Sequence, residues 1–235
     1  MERKTVAIIL AGGEGVRMDA DCPKQFLPLA GRPVIAHSLA AFERSGCVTD
    51  IVAVCHSAYI DRLKGIIEEY GMKKVRTVVA GGRTRQESSL IGVKNCPTGT
   101  EYVVIHDAVR PLVGMNTIER TVEAAAKKGA AASAVKAADT IVEVADGCII
   151  GIPSRDTMMR VQTPQGFRYD LILEAHEKAL SSGIAGATDD CGLVLGMGAP
   201  VAVITGSTRN IKLTDQADLE FAEKLFLRQK DPGEG

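Results

Sequence analysis

Short apolar runs separated by longer amphipathic stretches form the basic pattern of this chain. The runs are rich in β-branched residues and do not alternate between apolar and polar positions, which is typical of parallel strands buried on both faces. They occupy residues 5–10, 50–55, 75–80, 102–106, 131–137 and 200–205. Helical periodicity predicts helices over residues 33–44, 58–70, 84–95, 116–129, 168–183 and 215–230. This alternation predicts an α/β fold with a doubly wound, mostly parallel sheet.

One segment, residues 139–154, departs from the alternation of strand and helix. It predicts two strands joined at an Asp146-Gly147 turn, with no helix between them. A two-stranded ribbon is marginal in water unless it packs on something, so we expect an arm that docks on a partner subunit. A hairpin folded back on its own domain is the alternative. We expect a single domain over residues 1–235, with the arm at about 137–160.

Composition narrows the class of protein. The 235 residues suffice for one α/β domain with an elaboration. A net charge of −1 and an aromatic content of 4% provide neither a basic field nor a stacking platform for nucleic acid. The six cysteines include no C-x-x-C pair, which favours reduced thiols in a cytoplasmic protein over a zinc site. We expect no signal peptide and no membrane span.

A glycine-rich loop, "LAGGEGVRM", follows the first predicted strand. Such a loop lets the backbone approach a phosphate. It does not match the dinucleotide fingerprint, because Met18 stands where the third glycine belongs, and the chain has no Gly-Lys pair of a P-loop. Arg17 and Lys24 flank the loop, where cations neutralise charge on phosphate oxygens. Solvated surface charges are the alternative interpretation of these two residues.

Four polar segments are predicted to meet at the carboxyl ends of the strands, where ligands of doubly wound sheets bind. All of them are rich in Gly, Arg, Lys or Asp. They are residues 11–24, "AGGRTRQES" at 80–88, "HDAVRP" at 106–111 and "GSTRNIKLT" at 206–214. Their convergence predicts a site for phosphorylated ligands.

Asp107 follows a buried strand, so its carboxylate is expected at the rim of this site. Mg²⁺ prefers few protein carboxylates together with substrate phosphate oxygens, and a single aspartate suits that preference. A helix or turn cap is the alternative role. Arg110 offers a fork for a second phosphate, and Lys212 resembles a further phosphate-directed cation, with a surface lysine as its alternative.

The segment "AGGRTRQES" combines a sharp turn with a helix start. Thr84 and Glu87 have the spacing of a capping box. Ser88 lies on the first turns of that helix, where its hydroxyl is placed to bond a nucleobase or sugar edge. A purely structural cap is the alternative interpretation.

The sequence lacks the usual signs of nucleophilic catalysis. It has no G-x-S-x-G, no H-E-x-x-H and no evident general base beside a nucleophile. A phosphate monoester that acts as the nucleophile needs no protein nucleophile and no general base, because its second pKa is about 6 and it is mostly dianionic at neutral pH. It can attack another phosphate directly when the two are aligned and their charge is neutralised.

Motifs in a fixed order resemble a known family. They are "LAGGEGVRM", "PKQFLPLAGRPVIAHSL", "GGRTRQES", "HDAVRP", "QTPQGF", "TDD" and "NIKLT". Over nearly the whole chain, this set is similar to the 2-C-methyl-D-erythritol 4-phosphate cytidylyltransferases of the non-mevalonate isoprenoid pathway. The resemblance implies a Rossmann-like domain, Mg²⁺-dependent transfer of CMP from CTP to the polyol phosphate with release of pyrophosphate, and a homodimer clasped by a β-arm.

The resemblance also implies roles for individual residues. Arg17 and Lys24 would stabilise the transition state at the α-phosphate, Asp107 would hold Mg²⁺, and Arg155 and Lys212 would position the attacking phosphate. The residues that would surround the cytidine are Ala11, Gly12, Gly13, Gly82, Ser88 and Ala108. Those that would hold the acceptor are Arg110, Asp139, Thr140, Arg155, Thr163, Thr188 and Lys212, of which Thr140 and Arg155 would reach the partner's site.

Alternative functions differ from this expectation in defined ways. The Arg155-Asp156 pair also resembles ribitol-5-phosphate cytidylyltransferases, which makes ribitol 5-phosphate the second candidate acceptor. A hexose-1-phosphate nucleotidyltransferase shares the glycine-arginine loop but needs a longer chain. A dinucleotide-dependent oxidoreductase would need the third glycine and an acid after the second strand, where His56 stands. A non-catalytic nucleotide-binding protein would not require so many cations beside Asp107.

Overall fold

A computed structural model describes residues 3–13 and 22–230, without the side chains of residues 228–230. In chain order its strands are β1 (Thr5–Ala11), β2 (Pro28–Leu29), β3 (Arg32–Pro33), β4 (Asp50–Cys55), β5 (Val75–Ala80), β6 (Tyr102–Asp107), β7 (Ala130–Lys136), β8 (Glu143–Ala145), β9 (Cys148–Gly151), β10 (Met159–Arg168) and β11 (Ala202–Thr205). Its helices are α1 (Val34–Arg44), α2 (Ile60–Glu69), α3 (Arg85–Lys94), α4 (Met115–Lys128), α5 (Tyr169–Ser181), α6 (Cys191–Gly196) and α7 (Gln216–Lys230).

The central sheet has seven strands in the order β11-β7-β10-β6-β1-β4-β5. Strand β1 pairs in parallel with β4 and β6, and β5 and β11 extend the sheet in parallel with β4 and β7. Only β10 among these strands is antiparallel, to both β6 and β7. The prediction of a doubly wound, mostly parallel α/β sheet is therefore confirmed.

The sequence pattern did not predict β10, although this strand lies near the middle of the sheet. Its inner positions include the polar residues Gln162, Thr163 and Gln165, which are only 7%, 4% and 1% exposed. Apolar patterning cannot detect a buried strand whose side chains are polar. The register of β10 against β7 also shifts between Val161 and Gln165, which interrupts the strand periodicity.

Helices cover both faces of the sheet, and this explains the continuous apolar runs. Ala7 and Ile9 of β1 belong to a core shared with α1, α2 and α4. Ile8 and Leu10, which point to the opposite face, pack in a second core with α3, α5 and α6. A strand covered on both faces gains nothing from polar positions, because every side chain is removed from water.

The predicted arm is a separate two-stranded sheet formed by β8 and β9. Asp146 and Gly147 have φ angles of 49° and 75°, as a type I′ hairpin turn requires. The apolar side chains Val144, Ile149, Ile150 and Ile152 are 60–65% exposed. The alternative of a hairpin folded back on its own domain is therefore wrong, because the chain leaves these side chains in water. Docking on a partner remains a prediction.

Close packing of α3 on the sheet gives the first testable prediction. A Cβ on Gly92 would overlap Ile8 Cγ2 and would lie 3.2 Å from Val54 Cγ2. We expect Gly92→Ala to lower the free energy of unfolding by about 1–3 kcal/mol, because the core must shift to accommodate the methyl group. Urea denaturation measures this change.

Gly65 is the matched control, since it also lies within a helix but has no heavy atom within 4 Å of a built Cβ. We expect Gly65→Ala to raise the free energy of unfolding by about 0.5–1 kcal/mol through helix propensity alone. Equal effects of the two substitutions would contradict the packing described for α3.

Candidate active site

A cavity of about 700 Å³ opens at the carboxyl end of the parallel strands. It is lined by backbone from the loops after β1 and β5 and by the polar end of β6. The predicted site residues that line it are Ala11, Gly12, Gly13, Lys24, Gly82, Ser88, Asp107 and Lys212. The structure thus brings together residues that lie up to 201 positions apart, from Ala11 to Lys212. Ligands of doubly wound sheets bind at this edge.

The two glycine turns meet around the hydroxyl of Ser88. A Cβ on Gly81 would lie 2.8 Å from Ser88 Oγ, and a Cβ on Gly12 would lie 3.1 Å from it. Ser88 Oγ accepts a hydrogen bond from Gly82 N–H at 3.1 Å and donates to Thr84 O at 2.9 Å. The glycines are therefore needed for close approach, and the described hydrogen bonds of Ser88 tie the second turn to α3.

The helix start predicted at this turn is present in a modified form. Thr84 Oγ1 accepts a hydrogen bond from Glu87 N–H at 3.0 Å, as a helix cap does. The Glu87 carboxylate accepts from Arg83 N–H at 2.7 Å, one residue before the position that a capping box would use. This arrangement fixes the backbone that lines the cavity beside Gly82.

Gln25 holds the first glycine loop in place, and the sequence analysis did not single it out. Its side chain is 1% exposed, and Nε2 donates to Ala11 O at 2.7 Å and to Gly13 O at 3.0 Å. Because one amide group binds two loop carbonyls, the backbone at Gly12 is held open toward the cavity. Its place directly after Lys24, within the motif "PKQFLPL", was the available signal.

Asp107 forms the centre of charge in the site. Its Oδ2 lies 2.9 Å from Lys212 Nζ and 3.9 Å from Arg110 Nε, and its Oδ1 lies 3.3 Å from Arg85 Nε. The side chain of Asp107 is 10% exposed, whereas that of Lys212 is 41% exposed. Three cations therefore surround one carboxylate at the wall of the cavity.

The ionised form of Asp107 is strongly favoured. Burial by itself would raise the pKa of Asp107, but the charges of Arg85 and Lys212 and the hydrogen bond from Lys212 outweigh it and lower the pKa below its usual range. Asp107 is therefore a carboxylate at every physiological pH. A carboxylate is a ligand that Mg²⁺ accepts, and one of them suffices when phosphate oxygens supply the others.

A hydrogen-bonded chain behind Asp107 fixes the end of β6. Asp107 N–H donates to Thr163 Oγ1 at 3.0 Å, so the Thr163 hydroxyl is free to donate to His106 Nδ1, also at 3.0 Å. The second ring nitrogen of His106, Nε2, lies 3.2 Å from Arg110 O and must donate, because a carbonyl oxygen only accepts. His106 is therefore a neutral imidazole, and burial lowers its pKa to about 4.

Several predicted residues lie beside or away from the cavity. Thr163 is 4% exposed and occupied by the contacts above, and Arg110 Nη1 donates to Asn210 O at 2.9 Å. Ala108 is not among the described lining residues, and its backbone groups are used within the protein: its N–H donates to Leu10 O and its carbonyl accepts from Ser38 Oγ. Thr188 is exposed in the loop before α6. The roles predicted for these four residues remain predictions.

The arm residues are separate from the cavity of the same chain. Asp139, Thr140 and Arg155 are exposed, and Arg155 Nη1 contacts Ala138 O at 3.4 Å. None of them is among the residues described as lining the cavity. Arg17 lies outside the described residues.

The wall of the cavity also contains Arg85, which the sequence analysis did not single out. It bonds both Asp107 and Asp190, the latter with Nη1 to Oδ2 at 2.7 Å. An arginine in the polar first turn of a helix resembles a solvated surface charge, so the available signal was its place in "GGRTRQES", together with Asp190 in "TDD".

Two kinds of feature are absent from the described part of the chain. No group of three or more His, Cys, Asp or Glu side chains there is arranged to hold a metal ion. No helix within residues 3–13 and 22–230 has the length and apolar character needed to cross a membrane.

The fold and the site are those of a class of protein, the α/β nucleotidyltransferases, with a glycine-lined cavity and a cluster of cations at the sheet edge. A sequence model of 2-C-methyl-D-erythritol 4-phosphate cytidylyltransferase matches residues 5–229. The enzyme of that name from Geotalea uraniireducens is 43% identical over 228 residues, which cover 96% of this chain and 97% of the relative. The one from Pelotomaculum thermopropionicum is 41% identical over 95% and 94% of the two chains.

Solved structures agree with these matches. The crystal structure of 4-diphosphocytidyl-2C-methyl-D-erythritol synthase from Anaerococcus prevotii superposes with a TM-score of 0.86 at 32% identity, covering 97% of each chain. The 2-C-methyl-D-erythritol 4-phosphate cytidylyltransferase from Thermus thermophilus gives 0.75 at 30% identity, covering 96% of this chain and 98% of the other. The chain therefore belongs to the 2-C-methyl-D-erythritol 4-phosphate cytidylyltransferase family and is a nucleotidyltransferase.

The neutral state of His106 leads to a prediction about pH. Below the ordinary pKa of 6.5 the unfolded chain protonates this histidine, while the folded chain does so only near its pKa of about 4. The unfolded state then binds more protons, so stability falls as the pH drops from about 6.5 to 4, by up to about 3 kcal/mol from this group.

The comparison with His106→Gln isolates this effect, because glutamine does not titrate. We expect the difference in free energy of unfolding between wild type and variant to shrink by that amount between pH 7 and pH 4, as measured by urea denaturation. A difference that is constant with pH would contradict the neutral assignment of His106.

Proposed function

We propose that the protein transfers CMP from CTP to 2-C-methyl-D-erythritol 4-phosphate in a Mg²⁺-dependent reaction, releasing pyrophosphate and forming 4-diphosphocytidyl-2-C-methyl-D-erythritol. The observation that carries this proposal is the shared cavity, in which Lys24, Asp107 and Lys212 face the two glycine turns. The names of the relatives support the choice of nucleotide and acceptor.

The reaction needs no protein nucleophile. The phosphate of the acceptor is mostly dianionic at neutral pH, because its second pKa is about 6. One of its oxygens attacks the α-phosphorus of CTP, a new P–O bond forms, and the bond to the bridging oxygen of the β-phosphate breaks. The electron pair leaves with pyrophosphate. No proton has to be moved before the attack, which agrees with the use of cations rather than of a general base.

The protein's contribution is to reduce the repulsion between two anions. Lys24 lies at the wall of the cavity beside the first glycine loop and is assigned to the α-phosphate, together with Arg17. Lys212, which contacts Asp107 and also lines the cavity, is assigned to the attacking phosphate. Fixed cations in a partly buried site stabilise developing negative charge without reorganising at the moment of reaction.

The donor set at Asp107 fits a bound Mg²⁺ ion. Asp107 is an ionised carboxylate that reaches the cavity, and the other ligands of such an ion come from substrate phosphates and water. When bound, Mg²⁺ would supply additional neutralisation of triphosphate charge. The same carboxylate holds Lys212 and Arg85, so Asp107 keeps these cations beside the phosphates.

The glycine turns are assigned to the cytidine. The backbone at Gly12, Gly13 and Gly82 borders the cavity without side chains, so peptide N–H and C=O groups are within reach of a base. Such groups can recognise a pyrimidine by its hydrogen-bonding edge. Ser88 supports this surface by holding the Gly82 turn.

The arm is assigned to a homodimer interface. Its apolar residues Val144, Ile149, Ile150 and Ile152 form an exposed surface on one projecting ribbon, and exposed apolar patches of this kind mark interaction sites. A second copy of the chain is the proposed partner. Thr140 and Arg155 would then complete the acceptor site of that partner.

The experiment that tests the proposed reaction measures pyrophosphate release. The protein is incubated with CTP and Mg²⁺ and with either 2-C-methyl-D-erythritol 4-phosphate or ribitol 5-phosphate. We expect release with the first acceptor and not with the second. Release with ribitol 5-phosphate alone would make that compound the acceptor, and no release with either would favour a non-catalytic nucleotide-binding protein.

Removal of the cation beside the glycine loop should slow turnover more than it weakens binding. We expect Lys24→Ala to lower kcat by about 100-fold or more while KM for CTP changes only a few-fold, because the charge acts mainly in the transition state. Steady-state kinetics measures both constants. Lys64→Ala, on the exposed face of α2, is the control and should keep wild-type kcat. A rise in KM with unchanged kcat would contradict the role of Lys24.

Charge placed on the arm should dissociate the proposed dimer. We expect Ile150→Asp combined with Ile152→Asp to convert a dimer to a monomer in analytical ultracentrifugation, because the interface would have to bury two carboxylates from each chain. Leu180→Asp combined with Leu195→Asp is the control, since these side chains are 66% and 57% exposed on α5 and α6. A monomeric wild type, or a dimer that survives the arm substitutions, would contradict this interface.

A further inference from the structure

We infer that Arg85 is a positioning residue for Asp107: it holds one carboxylate oxygen in a fixed place while the other exchanges its partners during the reaction. The inference rests on the proposed function, because it concerns the same site. Neither the resemblance described above nor the names of the relatives assigns a role to Arg85. Its case depends on three features of the structure.

The first feature is that Arg85 bridges two carboxylates. Its Nε lies 3.3 Å from Asp107 Oδ1, and its Nη1 lies 2.7 Å from Asp190 Oδ2. A planar guanidinium group presents donors in a rigid fork, so one side chain can fix two carboxylates in a defined relation. A lysine has a single ammonium group on a flexible chain and cannot reproduce this geometry.

The second feature is that the far end of the bridge is immobile. The side chain of Asp190 is 1% exposed, and its Oδ1 accepts hydrogen bonds from Ser89 Oγ at 2.5 Å and from His176 Nε2 at 3.1 Å. Its backbone N–H donates to Gln165 Oε1 at 3.2 Å. Asp190 is thus held by α3, α5 and β10 together. Because Arg85 is bound to Asp190, its guanidinium group is held in place as well.

The third feature is the contrast with the cations on the other oxygen of Asp107. Lys212 contacts Oδ2 at 2.9 Å, yet its side chain is 41% exposed and lines the cavity. In order to bind an acceptor phosphate, Lys212 must share or leave this contact. Arg110 Nε lies farther away, at 3.9 Å from the same oxygen.

These contacts give the two oxygens of the Asp107 carboxylate different roles. Arg85, with a side chain 22% exposed, keeps Oδ1 in place. Oδ2 remains directed toward the cavity when Lys212 moves to substrate. Loss of Arg85 would leave Asp107 charged but free to rotate. The carboxylate would then no longer hold a fixed position relative to Lys212 and the phosphates.

The test compares Arg85→Lys and Arg85→Ala with the wild type in the pyrophosphate-release assay. We expect Arg85→Lys to lower kcat by about 10–100-fold, as loss of an orienting partner does at comparable sites, with KM for CTP little changed. Its Tm should stay within about 4 °C of the wild type, because the positive charge beside Asp190 is kept. For Arg85→Ala, added guanidinium ion should restore part of kcat, whereas ammonium ion at the same concentration should not.

Arg76 is the matched control. Its Nε contacts Asp50 Oδ1 at 3.1 Å, but the arginine side chain is 65% exposed and remote from the cavity. Arg76→Lys and Arg76→Ala should keep the wild-type kcat and show no response to guanidinium ion. If Arg85→Ala does not fold, the kcat and Tm of Arg85→Lys decide the question.

Several results would overturn the inference. Wild-type kcat in Arg85→Lys would overturn it, as would a loss of activity that only follows a fall in Tm and is not restored by guanidinium ion. Activity of the wild type in the same assay distinguishes failure of the proposed function from failure of the inference about Arg85. An inactive wild type would fail the proposed function and this inference together, whereas an active wild type with an unaffected Arg85→Lys would fail the inference alone.

Discussion

The negative charge of Asp107, held at the end of a buried strand among three cations, is the interaction on which the site depends. Arg85, Arg110 and Lys212 come from three separate segments of the chain, and this carboxylate offsets the repulsion among them. Cations without it would repel, and the carboxylate without them would be an unpaired charge with little access to water. The result is that Arg85 and Lys212 lie together at the wall of a cavity of about 700 Å³.

The antiparallel strand β10 explains how these segments remain together. Its Gln162 donates to Ser207 O at 2.9 Å, and Asn210 Nδ2 donates to Thr163 O at 2.8 Å. The loop that carries Lys212 is thereby attached to the sheet beside β6. The same strand supplies the Thr163 hydroxyl to the Asp107 N–H and Gln165 to the Asp190 backbone. Strand β10 therefore connects the cation cluster to the core through polar rather than apolar contacts.

An element of the structure could be predicted from the sequence only where its physical role leaves a pattern in the residues. Strands such as β1 were predictable, because burial on both faces demands a continuous apolar run. The convergence of Gly12, Gly82 and Asp107 followed from the rule that carboxyl ends of parallel strands share one edge. The hairpin turn followed from Asp146-Gly147, since few residues accept two positive φ angles in succession.

The remaining features depend on contacts that a linear pattern does not record. Strand β10 was missed because its buried side chains are polar, and hydropathy cannot separate a satisfied buried glutamine from a solvated one. The bridging role of Arg85 depends on Asp190, 105 positions away, which becomes a neighbour only after folding. Ala108 and Thr163 were predicted to contact ligands. In the structure, the Ala108 carbonyl accepts from Ser38 and the Thr163 hydroxyl accepts from Asp107 N–H, so both groups are used within the protein.

A crystal structure of the protein with CTP bound would show whether the cations around Asp107 face the triphosphate. We expect the triphosphate in the cavity, within hydrogen-bonding distance of Lys24 and on the same side as Asp107 and Lys212, with the cytosine against the backbone of Gly12, Gly13 and Gly82. A nucleotide bound at another surface, with Asp107 and its cations unchanged and remote from every phosphate, would contradict it.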